Sequence, residues 1–120
     1  MKLMNDFFEI LKSSKSKNGF VTTIKLNSNH IVYTGHFPGH PVTPGVIQMQ
    51  IVHELLENHL NRKLKLKNMS QCKFLKILNP NETTELDIHI EYENKGEIIT
   101  INASGKNESD IYFKFRSALI

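Results

Sequence analysis

A chain of 120 residues, 39% hydrophobic and 22% charged, can bury one ordinary core but not two, so a single domain over residues 1–120 is expected. The net charge of +3 comes mostly from lysine, without the arginine clusters and interleaved aromatics of a nucleic-acid partner. A lone cysteine, Cys72, excludes an intramolecular disulfide and is expected to be a small buried hydrophobe; no apolar run reaches the ~18 residues of a membrane span, and a cytoplasmic protein is expected.

At the N-terminus, Asp6 and Glu9 interrupt the apolar pattern, which argues against a signal peptide. Met4, Phe7, Phe8 and Leu11 recur at helical spacing and predict a short amphipathic helix, ended by the Lys/Ser run Lys12 to Lys17. Phe20 to Leu26 and Ile31 to Thr34 then predict two strands around a turn at Asn27 to Asn29. From Gly35 to Gly45 the chain holds three prolines and three glycines, a loop held in one shape with two histidines inside it.

After Gly45 the punctuation stops. Val46, Ile47, Met49, Ile51, Val52, Leu55, Leu56 and Leu60 predict a helix from Gly45 to Leu60 that is enclosed on most sides. Gln50, His53, Glu54 and Glu57 share one stripe of it, and the Gly45 and Val46 amides at its start could receive negative charge. For His53 and Glu57 the plain reading is a solvated helix face. The second half predicts antiparallel strands. Lys63 to Leu78 is extended; Leu86, Ile88, Ile90 and Tyr92 alternate with Glu85, Asp87, His89 and Glu91; Asn94-Lys95-Gly96 turns into Ile98 to Ala103; and Gly105 to Asp110 turns into Ile111 to Leu119. One enclosed helix and several antiparallel strands make an α+β layout, a sheet wrapped around a helix, with an edge able to pair with another copy.

The segment His36-Phe37-Pro38-Gly39-His40-Pro41, then Pro44-Gly45-Val46 and a helix, resembles the (3R)-hydroxyacyl-acyl-carrier-protein dehydratases of bacterial fatty-acid synthesis. The resemblance implies a hotdog fold, at least a dimer, and an active site across the dimer interface, where a histidine of one subunit faces a helix carboxylate of the other. By position the histidine is His36, the amide that polarises the thioester carbonyl is that of Gly45, and the acid falls on Gln50, which is where the sequence departs from the family. Val46 and Phe37 are the neighbouring substrate-binding candidates. No cofactor and no metal is expected: His40 lies four residues beyond His36, but Pro38 excludes helical geometry between them and no third ligand is evident.

Dehydration of a 3-hydroxyacyl thioester needs a base for the α-proton, a donor for the thioester oxygen and an acid for the departing hydroxyl. An imidazole whose other nitrogen donates to a backbone carbonyl near Val42 suits the first. Gln50 has no proton to give at neutral pH. Three repairs are open, in this order: Glu54, one turn further on, where the family has Gln; an acid-bearing relative in a heterodimer, with one composite site; or different chemistry, a thioesterase in which Gln50 positions water. A non-catalytic, acyl-carrier-binding subunit is a further reading. The implied substrate is a 3-hydroxyacyl group on acyl carrier protein or CoA, in a homodimer or a heterodimer. The basic run Arg62, Lys63, Lys65 and Lys67 is a candidate docking patch for an acidic carrier protein, and a solvated surface otherwise. His30, His59 and His89 are expected to be exposed.

Overall fold

The computed structural model describes residues 2–120. Its elements are β1 (Phe8–Ser16), β2 (Gly19–Leu26), α1 (Val32–Gly35), α2 (Gly45–Leu60), β3 (Leu66–Phe74), β4 (Glu85–Lys95), β5 (Ile98–Asn107) and β6 (Asp110–Leu119). The strands form one antiparallel sheet in the order β1-β2-β4-β5-β6-β3, so β1 and β3 are its edges.

The alternation in β4 decides which face packs. Leu86, Ile88 and Ile90 are fully buried and point with Phe20 and Ile24 of β2, Ile101 and Ala103 of β5, and Phe113 and Phe115 of β6 into one core. Helix α2 closes that core with Ile47, Ile51, Val52, Leu55 and Leu56. Each such side chain contributes roughly 1.5–3 kcal/mol by leaving water. The helix has the bounds expected from the sequence. It ends at Asn61, which takes a left-handed φ of 53° and returns its N–H to the Glu57 carbonyl.

Three local expectations are corrected. The N-terminal run is not a helix: after a turn at residues 5–7 it enters β1, where Phe8 pairs with Leu26 and Ile10 with Ile24, and the Lys/Ser run continues the strand to Ser16. Apolar residues there fit both a helical and an alternating period, and pairing with β2 decides between them. Ile31 to Thr34 is not a strand but the short helix α1, which buries Tyr33 and leaves Ile31 on the surface. An Asx turn at Asn27, whose Oδ1 accepts the Asn29 N–H, sets it up. Gly105 is not part of a turn. It sits inside β5 opposite Phe113, and the β5–β6 turn falls on Glu108 and Ser109.

The Phe113 ring lies where a Cβ on Gly105 would be, which is the reason for a glycine in mid-strand. Gly105→Ala is therefore expected to cost about 1–3 kcal/mol by overpacking, read from the urea midpoint. Gly35→Ala, where a Cβ meets nothing, is the control and should move that midpoint little.

Candidate functional site

Helix α1 delivers His36 to the start of the Pro/Gly loop. The loop is tied to itself through the backbone: Val42 donates to the His36 carbonyl at 2.6 Å, Phe37 to the His40 carbonyl at 2.9 Å, and His40 to the Phe37 carbonyl at 2.8 Å. The His36–Phe37 peptide is cis. His36 and Phe37 are both exposed, with ring centroids 5.4 Å apart. Among the described residues no hydrogen bond holds the His36 imidazole; Val42 meets His36 through its N–H and the His36 backbone rather than through a carbonyl on the ring. Phe37 lines an open cavity of about 500 Å³ with His30, Tyr33, Thr34 and Pro41.

Beneath the loop lies a buried polar chain that composition and spacing did not point to. The Tyr33 hydroxyl meets the Thr43 hydroxyl at 2.7 Å, Thr43 donates its N–H to the Leu78 carbonyl at 2.9 Å, and Gln48 Nε2 donates to the Thr43 carbonyl at 2.9 Å. Burial pushes the Tyr33 phenol up to about 12, against the opposing pull of its bond to Thr43. Gln48 Oε1 is buried and unpartnered among the described residues. The one sign of this chain in the sequence is a glutamine inside the apolar run that opens α2.

No side chain caps α2, and the Ile47 and Gln48 amides turn back to the Pro44 carbonyl at 3.1 Å each. Gly45 and Val46 thus open the helix, with Val46 67% exposed. The close approach at Gly45 is made by Phe74, whose ring occupies the place of a Cβ. A Cβ at this position would meet that ring.

Gln50 and Glu54 meet: Gln50 Nε2 donates to Glu54 Oε2 at 2.9 Å. Glu54 is buried, and its oxygens also accept the Leu3 N–H at 2.8 and 2.9 Å and the Met4 N–H at 2.9 Å. The carboxylate therefore moors the N-terminal segment to the helix. Gln50, Glu54, Arg62 and Lys63 share an open cavity of about 450 Å³ with Lys2 and Met4. This cavity and the one beside Phe37 have no residue in common.

Arg62, Lys63, Lys65 and Lys67 are all exposed, and the Lys65 backbone is fixed by N–H and C=O bonds to Ile120. Glu57 is not merely solvated: it holds His53 at 3.3 Å and accepts the Leu64 N–H at 2.8 Å. His30 is half-buried rather than exposed, reaching Asp6 at 3.1 Å and accepting the Val32 N–H. His89 is also half-buried, and burial followed by Lys106 pushes its imidazole down. His59 is exposed as expected, though stacked on Phe20 at 3.9 Å. Cys72 is exposed on β3 and not buried.

A family model described as ApeI-like, ApeI dehydratase, matches residues 12–114. The 3-hydroxyacyl-[acyl-carrier-protein] dehydratase FabZ of Clostridium acetobutylicum is 26% identical over 124 residues, covering 92% of this chain and 85% of the relative. That of Rickettsia massiliae is 29% identical over 93 residues, 70% of this chain, and the match spans only 63% of the relative's length. Among solved structures, the dehydratase heterocomplex ApeI:P from Xenorhabdus doucetiae contains a chain that superposes with a TM-score of 0.73 at 19% identity, covering 92% of this chain and 95% of that one. That likeness is one of fold, and the sheet wrapped around α2 is the hotdog arrangement. Among the described residues no helix is long and apolar enough to cross a membrane.

Two outcomes follow from the buried groups. Tyr33 keeps its proton in the folded state up to about pH 12, whereas the unfolded chain loses it near the ordinary value of 10.0. Stability should fall as pH rises through that window, and Tyr33→Phe should remove this part of the fall in urea titrations between pH 9 and 12. Glu54→Gln turns an amide toward amide donors and is expected to cost about 1–3 kcal/mol, with faster hydrogen exchange at Leu3 and Met4.

Proposed function

Because the chain belongs to the ApeI-like dehydratase family, we propose that it dehydrates 3-hydroxyacyl thioesters to trans-2-enoyl thioesters as one half of a composite site, supplying His36 as base and the Gly45 amide as oxyanion donor. The observation that carries this reading is the use to which α2 puts its two acid-position candidates. Gln50 has no acidic proton, and Glu54 holds three N–H donors with its two oxygens. A proton on Glu54 would displace one of those bonds, so the carboxylate serves the N-terminal segment in place of the departing hydroxyl. On this reading the order of repairs that sequence position suggests is reversed, and the missing acid is proposed to come from a relative.

In this mechanism His36 takes the α-proton, the electron pair moves onto the thioester oxygen facing the Gly45 N–H, and the enolate collapses to the C2–C3 double bond. The C3–O bond breaks as the relative's carboxylic acid gives its proton to the leaving hydroxyl, which departs as water. The histidine proton returns to that carboxylate through solvent, and no cofactor enters the balance. The free β3 edge, running from Leu66 to the half-exposed Phe74, is the pairing surface this reading requires. A dehydratase heterocomplex among the solved structures of the same fold supports such pairing. Arg62 and Lys63, at the rim of the Gln50 cavity, suit the acidic surface of a carrier protein that brings the substrate.

The test follows water loss and free thiol together on 3-hydroxyacyl thioesters of carrier protein and of CoA. The isolated chain is expected to be slow and Gln50→Glu to gain on the order of 10²–10⁴ in rate, with His36→Ala abolishing the gain. Dehydration by the isolated wild type that Glu54→Ala abolishes would return the acid to Glu54. Free thiol without water loss would make the protein a thioesterase instead, and binding of acylated carrier without turnover in any variant would leave it a carrier-binding subunit.

A further inference from the structure

We propose that Tyr33, Thr43 and Gln48 are positioning residues, a buried clamp of two hydroxyls and a carboxamide that fixes the His36 loop and the Gly45 amide relative to one another. The roles of His36 and Gly45 rest on the dehydratase reading; the clamp itself rests on geometry. His36 follows Tyr33 by three residues and Gly45 follows Thr43 by two, so the clamp grips both stems of the segment that carries the two groups. Thr43 is held at three points: its hydroxyl by Tyr33, its N–H by Leu78 and its carbonyl by Gln48, the last from the first turn of the helix that Gly45 opens. Within the loop Pro38, Pro41 and Pro44 limit the remaining backbone freedom, and the Val42 bond to the His36 carbonyl carries the constraint to the histidine.

Stability alone does not account for these residue types. Tyr33 is 6%, Thr43 2% and Gln48 4% exposed, positions where a polar group carries a desolvation cost that an apolar side chain of similar size does not. Gln48 in addition keeps a buried oxygen without a partner among the described residues, which an apolar side chain would avoid. What the carboxamide provides that Met cannot is its bond to the Thr43 carbonyl.

Residue-resolved amide hydrogen exchange on the full-length chain tests the clamp without any need for turnover. Thr43→Val is expected to speed exchange at Val42 and His40 by roughly tenfold or more while the Leu55 and Leu56 amides keep their rates, and Thr43→Ser, which retains the hydroxyl, should remain like wild type. Gln48→Met should give the same local loosening with a melting temperature within ~4 °C of wild type, and it carries the test if Thr43→Val does not fold. Unchanged loop exchange, or acceleration shared equally by the helix core, overturns the proposal. Where turnover exists, the Thr43 and Gln48 variants should lower kcat with little change in KM, because both side chains are buried beneath the loop. A Gln50→Glu chain that never turns over, while the loop still loosens in the clamp variants, overturns the dehydratase reading and leaves the clamp in place.

Discussion

Helix α2 is enclosed on most of its circumference, and a polar side chain on an enclosed helix must find a partner or cost stability. The consequence is that its polar residues bind the helix to whatever surrounds it. Gln48 reaches the loop before the helix at Thr43, Gln50 and Glu54 take up the N-terminal segment at Leu3 and Met4, and Glu57 holds the segment after the helix at Leu64. Three stretches that the sheet does not pair directly to the helix are thereby fixed to it. Apolar packing alone would center α2 on the sheet; these bonds also set its rotation and its position along its own axis.

This constraint separates two features that sequence position makes look equivalent. Gln50 and Glu54 lie one turn apart on one stripe, and an exchange of acid and amide between them suggests a shifted catalytic group. In the folded chain the two are parts of one anchoring pair. A carboxylate surrounded by two backbone N–H groups and a carboxamide N–H is well satisfied as an acceptor, and its surroundings would have to change before it served as a donor.

The helix and loop were legible from sequence because Pro and Gly bound them and because eight apolar residues leave no face of α2 wholly polar. The period-two pattern of β4 was legible for the same kind of reason: Leu86, Ile88 and Ile90 have one possible face. The N-terminal run was not, since Phe7, Phe8, Ile10 and Leu11 satisfy two periods and only the register against Phe20 to Leu26 selects one. Nor was the anchoring of Glu54, because its partners are backbone N–H groups about fifty positions away, which leave no mark on residue identity. The Tyr33–Thr43 pair is hidden in the same way: the β-branched run Ile31 to Thr34 suits a strand, and a strand there would aim Tyr33 elsewhere.

The two edges of the sheet differ in a manner that bears on the site. Each edge carries two lysines, Lys12 and Lys15 on β1 and Lys67 and Lys73 on β3, but β3 ends in Phe74 and is followed by exposed Leu75 and Ile77. Phe74 is also the side chain packed on Gly45. Phe74 thus belongs both to the sheet edge that the proposed pairing uses and to the packing at the start of α2, so on the proposed reading the partner surface and the oxyanion donor share one side chain.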